Sequence, residues 1–395
     1  MKNIFSLIGL FLVFQMNINA QIWTTYTTSN GLVYNKVNSI TIDKQGNKWI
    51  GTWNGVSEYN DTSWVTYNGI NGLASNFVNV IGVDSIGNKW FGTNGGAGLS
   101  EYNDTTWTTY TTSNGLAHNN VFAIAFDSLG NKWFGTPNGV SFYDGTNWET
   151  YNIIDGLANN NVLSIAIDKQ GNKWFGTYGG GVSKFDDTNW TKYFSLNGLS
   201  NDNVFCIAID EQGNKWVGTE VGLNKFDDVS WKRYSTDSGL VNNTIQSIAI
   251  APDGSIWCGT PSGVSKFNNH TWTTFTTASS DLVNNNVSSI AVDKQGNIWF
   301  GTQGGVSKLS GVNDIIENEQ EALSITLYPN PAQDEIFINN HQHIENIMVY
   351  DINGAFICEG KIKNNKIDIS GLNKGFYFLK IYSKNFTSTL KFIKI

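Results

Sequence analysis

The stretch DKQGNKWFGT, Asp168–Thr177, recurs in near-copies along the chain. Aligned on the tryptophan of GNKW, the copies fall at Trp49, Trp90, Trp133, Trp174, Trp216, Trp257 and Trp299, in steps of 41, 43, 41, 42, 41 and 42 residues. A second series, Trp followed three residues later by Tyr or Phe, runs Trp23, Trp64, Trp107, Trp148, Trp190, Trp231 and Trp272. Together the two series hold fourteen of the fifteen tryptophans. A period of about 40–45 residues is that of a propeller blade.

Each unit predicts four short strands. In the fourth copy NVLSIAID alternates, NKWFGT follows a turn, GVSKF follows a glycine-rich connection, and WTKY closes the unit. All are short runs rich in branched or aromatic residues and bounded by Gly, Asn or Asp. DKQGN is the hairpin between the first two strands. Asp168 stands at the first turn position, where its carboxylate can accept turn amides, and Gly171 at the fourth, where a left-handed backbone is needed. The sixth copy, APDGSIW, has Ala251 in place of the aspartate but keeps a turn through Pro252, Asp253 and Gly254. Small and large residues alternate in SIAID, as wedge-shaped neighbours around an axis require. Large buried indoles are expected to supply much of the core.

The ends of the array specify closure. It begins with a lone WTTY, Trp23–Tyr26, and finishes with three strands and no tryptophan strand after them. Six full units and one split unit make seven. The expected fold class is all-β: a seven-bladed β-propeller over 21–311, closed by one strand from the N-terminal side and three from the other, followed by a small C-terminal β-sandwich.

The core pattern ID..GN.W.GT..GVS. resembles the two-component regulator propeller repeat. That resemblance implies the propeller fold and kinship with extracytoplasmic sensor domains of hybrid histidine kinases. The sequence shows neither kinase nor receiver, so signalling by this polypeptide alone is not expected.

The flanks bear on export. Residues 1–20, MKNIFSLIGLFLVFQMNINA, read as a secretory signal peptide, with Lys2, the apolar Ile4–Phe14 stretch and Ala20. No later segment is long and apolar enough to span a membrane. Residues 312–324 read as an acidic linker. Residues 325–395 are richer in lysine and contain YPNP (Tyr328–Pro331), VYDINGAF (Val349–Phe356), IDISGL (Ile367–Leu372), GFYFLKI and a terminal KFIKI. These pieces resemble the type A C-terminal sorting domain of the type IX secretion system. The resemblance implies a partner in the secretion machinery and a secreted or outer-membrane surface location. An ordinary adhesion or sugar-binding sandwich is the other reading of this module.

Composition narrows the function. The formal net charge is -8 and Arg233 is the only arginine, which argues against nucleic acid as a partner. Cys206, Cys258 and Cys358 are far apart and suit buried packing better than a disulfide framework or metal site. His118, His270, His341 and His343 are too scattered for zinc. No cofactor is expected.

Candidate ligand positions are those that vary between units on the face shared by the second-to-third and fourth-to-first connections: Trp53, Asn94, Tyr178, Glu220 and Gln303 on the former, Tyr34 and His118 on the latter. Trp53 is the tryptophan outside both series, and with Tyr178 it could offer a sugar-stacking or peptide-docking platform. A near-repeated amide at Asn35, Asn76, Asn119, Asn160, Asn243 and Asn285, with Asp202 in the fifth unit, reads as loop capping. Asp202 and Glu220 are the weak candidates for a catalytic carboxylate pair. NDT at Asn60 and Asn103 matches a glycosylation acceptor, and DSI at Asp84 and DSL at Asp127 look like O-glycosylation sites; all four lie in expected turns. Three readings remain: a secreted binding module for a glycan or protein, a secreted lyase or hydrolase acting on a polysaccharide, and a structural envelope or sensor-partner component with no small ligand.

Overall fold

The computed structural model describes residues 21–268, 271–311, 327–338, 344–352, 355–360, 362–363, 365–383 and 387–395. Residues 1–20 and 312–324, expected to be a signal peptide and an acidic linker, lie outside these residues. The chain divides into two compact units, 1–313 and 314–395.

The first unit contains seven four-stranded antiparallel sheets. Blade one shows the pattern: Val37–Ile42 is innermost, followed outward by Lys48–Thr52, Gly55–Tyr59 and Trp64–Tyr67. Blades two to six repeat it. In blade seven, Val287–Val292, Ile298–Thr302 and Gly305–Ser310 are completed by Ile22–Tyr26. The register runs from Ile22 opposite Ser310 to Tyr26 opposite Val306, which is the closure the sequence predicts.

The aspartate of the repeat does more than hold the turn. Asp168 Oδ1 accepts the amides of Gln170 at 3.0 Å and Asn172 at 2.8 Å. Its Oδ2 accepts from the Asn172 side chain at 2.8 Å and the Trp174 indole at 3.0 Å. One carboxylate thus fixes the hairpin and satisfies a buried indole N–H that would otherwise lack a partner. In blade six Ser255 Oγ accepts from Trp257 Nε1 at 3.1 Å, so a serine after the turn replaces the missing aspartate.

Burial pushes the Asp168 carboxyl up, but the Trp174 indole, Asn172 and the turn amides outweigh it, and the net direction is down. Its native value therefore lies below its unfolded value. The stability it contributes is present above the ordinary aspartate range and is lost as pH falls through that range toward the lower native value. Denaturant titrations between pH 6 and pH 3 should show Asp168→Asn flattening the acid side of the stability profile. An unchanged acid slope would refute this role.

Neighbouring blades interlock at three levels. The GNKW tryptophans are buried and stack outward on their own blade and sideways on the next: Trp49 lies 5.5 Å from Tyr67 and 5.9 Å from Phe91. The glycine of each GT pair sits against the first strand of the next blade or, for Gly92 and Gly218, against the residue that leads into it. A Cβ on Gly51 would come within 2.8 Å of Val78, and one on Gly301 within 2.7 Å of Val37. The second case lies across the closure, so blade seven meets blade one as every other pair meets. Buried lysines add a third link. Lys48 donates to Asp61 at 2.6 Å and lies 5.0 Å from the ring centroid of Trp299 in the preceding blade.

The second tryptophan series corrects one expectation. These seven indoles are half-buried rather than part of the sealed core. Trp64 stacks on Tyr59 at 4.4 Å, and the left-handed Gly31 (φ 118°) of the preceding connection lies over its indole. Their position on the outermost strand leaves one flank to solvent.

In the second unit, the four-stranded sheets are Leu327–Tyr328, Glu335–Ile338, Lys366–Asp368 and Ile362–Lys363, and Phe356–Gly360, Ile344–Asp351, Gly375–Ser383 and Thr387–Lys394. Ile336, Ile338, Ile347, Val349, Leu379 and Phe392 fill its core. Residues 353–354 lie outside the described residues, and the strands on either side of them, Ile344–Asp351 and Phe356–Gly360, pair antiparallel.

Candidate functional site

The third-strand serine positions the loop face. Ser57 Oγ accepts the Val33 amide at 2.9 Å, and Ser183 Oγ accepts that of Ala158 at 2.9 Å. Asn224 performs the task in blade five, accepting from Ser200 at 3.0 Å. Each fourth-to-first connection is thereby pinned beside a second-to-third turn. Gly55 N–H donates to the Asn76 carbonyl at 2.7 Å, and Trp53 N–H to the Lys36 carbonyl at 3.2 Å.

The near-repeated amides are capping groups. Asn35 Oδ1 accepts the Thr28 amide at 2.8 Å, and Asn160, Asn243 and Asn285 accept equivalent amides at 2.8–2.9 Å. Asp202 takes this role in the fifth unit, accepting from Ser195 N at 2.7 Å and Ser195 Oγ at 3.1 Å. Glu220 accepts from Asn203 Nδ2 at 2.7 Å. The two carboxylates therefore stand at the same blade, on either side of Asn203, but each is held by its own donor. His118 Nδ1 accepts the Asn120 amide at 2.9 Å, and Asn94 Oδ1 accepts that of Gly95 at 2.9 Å. Gln303 is half-buried, and its backbone N–H donates to Asn286 O at 3.1 Å.

Trp53 differs from these. Its side chain is 44% exposed on the loop face. Its Nε1–H donates to Asn38 Oδ1 at 3.0 Å, while Asn38 Nδ2 donates to the Val78 carbonyl at 2.9 Å. The second bond orients the amide, and the oriented amide orients the indole. Lys36 Nζ lies 4.2 Å from the indole centroid, and the Phe77 ring lies 5.0 Å away at 54°. Tyr34, 38% exposed, is on the same connection as Lys36. Trp53 and Tyr34 stand out in the sequence as positions that vary between units, whereas Lys36, Asn38 and Phe77 join them only in the fold. The available signal was Lys36, a cation where most other units carry asparagine.

Tyr178 is half-exposed on blade four, three blades from Trp53. The two aromatics share a face but do not adjoin. Among the described residues no cluster of His, Cys, Asp and Glu has metal-binding geometry. Burial pushes the Cys206 and Cys258 thiols up, so both are neutral packing groups. Asn60 and Asn103 side chains accept turn amides, as do Asp84 and Asp127. No helix among the described residues is long and apolar enough to cross a membrane.

Comparison with known families places both units. The two component regulator propeller profile matches residues 156–179, 198–221, 239–262 and 281–304, and the secretion system C-terminal sorting domain profile matches 326–395. The sorting domain is of the type IX system and implies a secreted or outer-membrane surface location. No curated protein sequence matches the chain. Among solved structures, the chain is similar to the extracellular domain of the hybrid two component system BT3049 from B. thetaiotaomicron (22% identity, TM-score 0.66, covering 93% of this chain and 57% of that one). It is also similar to PorZ, a surface component of the type-IX secretion system of Porphyromonas gingivalis (18%, 0.63, 92% and 60%). A third is virginiamycin B lyase from Staphylococcus aureus (16%, 0.60, 73% and 99%). The chain spans about six-tenths of the first two. At these identities the likeness is one of fold.

Proposed function

We propose that this two-component regulator propeller repeat protein, with its type IX sorting domain, is an exported binding module that engages a glycan or a protein through its loop face, anchored on Trp53. One observation carries the reading: among fifteen tryptophans, Trp53 alone stands outside the blade framework and is held in one orientation without being buried. A large aromatic already ordered in the free protein loses little conformational freedom on binding. Lys36 beside it adds a cation that suits an acidic sugar or side chain. The catalytic reading gains no comparable support, because Asp202 and Glu220 are engaged with local donors.

The test is a glycan array and a pull-down with the full chain, repeated with Trp53→Ala. The variant should fold normally and lose binding at least about tenfold, as truncating an aromatic anchor does. A ligand bound equally by both proteins would remove Trp53 from the site.

A further inference from the structure

The loop face has a second sector of different character. Its connections carry six charged residues: Lys36, near Trp53, and Asp155, Asp202, Glu220, Asp237 and Asp281, from the entry to blade four onward. Five exposed apolar side chains stand together where the acidic run begins, whereas the entry to blade two carries a single one, Ile70, at the position of Ile154. Ile154 and Leu196 are 90% and 91% exposed, and Ile153, Phe194 and Tyr178 are exposed beside them in the chain or in the intervening turn. In the connections entering blades one, three and six, the positions of Ile153 and Ile154 hold Thr28–Ser29, Thr112–Ser113 and Thr236–Asp237. The repeat itself therefore does not require apolar residues there.

The backbone ties this sector together. The Tyr178 amide donates to the Asn161 carbonyl at 2.9 Å, and the Gly181 amide donates to the Asp202 carbonyl at 2.9 Å. The tyrosine turn is thus clamped between the connection that carries Ile153 and Ile154 and the one that carries Phe194 and Leu196. Asp155 shares a turn with the two isoleucines, and its side chain accepts the Asn152 amide at 2.9 Å. Asp202 and Glu220 flank the other side. Two cations border the sector: Lys192, exposed on the strand that leads into Phe194, with its carbonyl accepting from Asn197 Nδ2 at 3.2 Å, and Arg233, whose guanidinium donates to the Val221 carbonyl at 2.8 and 3.1 Å.

We propose that the blade-four sector, Ile153, Ile154, Tyr178, Phe194 and Leu196 with Asp155, Asp202 and Glu220, docks an apolar polypeptide segment bearing lysine or arginine. This rests on the reading of the loop face as the binding face but uses residues separate from Trp53. Exposed aliphatic side chains favour apolar burial rather than the hydroxyl-rich surface of a sugar. The interspersed carboxylates favour cations at the edges of the segment and disfavour acidic partners. A second copy of the chain, with the same formal charge of -8, meets that repulsion.

The test selects random dodecapeptides displayed on phage against the full chain and measures the recovered peptides against variants. The expected peptides combine lysine or arginine with apolar residues. They bind at least about tenfold more weakly to Ile154→Ser/Leu196→Ser, weaken in 0.5 M salt, and bind Trp53→Ala unchanged. The double substitution removes solvent-exposed groups, so its melting temperature should match the parent. Recovery of no peptides, of peptides without cationic enrichment, or of peptides indifferent to the double substitution would overturn the proposal. So would dimerisation of the chain that the double substitution abolishes, which would assign the sector to a second copy. Peptides that depend on Trp53 alone would defeat this inference and leave the loop-face reading standing.

Discussion

Removing residues 21–27 is expected to destabilise the propeller by more than about 5 kcal/mol and to make it associate through an open sheet edge. The loss has two parts. Trp23 packs on Phe300 and Phe275, with ring centroids 5.6 and 5.8 Å away, so its removal strips one flank of the last blade. Tyr26 stacks on Trp299 at 5.6 Å and contacts Tyr59 at 5.2 Å and Trp64 at 5.7 Å in blade one. The same five-residue strand therefore completes blade seven and joins it to blade one. Deletion also leaves the outer backbone groups of Gly305–Ser310 unpaired. Urea unfolding of the chain begun at residue 28, compared with that begun at 21, measures the effect. Equal stability would mean that the ring does not depend on its closing strand.

The second large effect is expected at Trp174, which is fully buried. Trp174→Ala should cost about 3–5 kcal/mol through the cavity it leaves. The indole touches Tyr193 of its own blade at 5.7 Å and Phe226 of the next at 6.3 Å, and Lys215 lies 4.7 Å from its centroid. Two blades therefore lose packing together. Asp168 loses its indole donor but keeps Asn172, so the turn should persist while the interface loosens. Chemical unfolding of the full chain, beside the conservative Trp174→Phe, separates volume from hydrogen bonding. The phenylalanine variant should recover most of the packing but not the effect on the Asp168 carboxyl. A loss below about 1 kcal/mol for the alanine variant would contradict the role given to the indole.

Blade number and closure were legible because they follow from properties local to a few residues. Alternation, an Asp–Gly turn and a repeated tryptophan each constrain one strand or hairpin, and the lone Trp23 strand supplies the piece that the last unit lacks. The link from Asp168 to the Trp174 indole was not legible, because the hairpin brings together residues six positions apart through their side chains. The half-burial of the second tryptophan series depends on which strand lies at the blade's outer edge and how the neighbouring connection covers it.

The site was less readable for a related reason. Variation among repeats pointed to Trp53 and Tyr178, but ring position separates them by three blades. Lys36, Asn38 and Phe77 reach Trp53 from the entry to blade one, its bulged inner strand and the entry to blade two. Only the packing of consecutive blades unites them. Asp202 looked like a departure from the amide series, yet its carboxylate caps the same turn that the amides cap elsewhere.

Amide hydrogen exchange across blade seven tests the central claim most directly. If the first strand closes the ring, the amides of Ile22–Tyr26 that pair with Gly305–Ser310 exchange slowly and in step with the rest of that blade. Free-chain exchange rates over Ile22–Tyr26, with Ile298–Thr302 still protected, would contradict the closed seven-bladed ring.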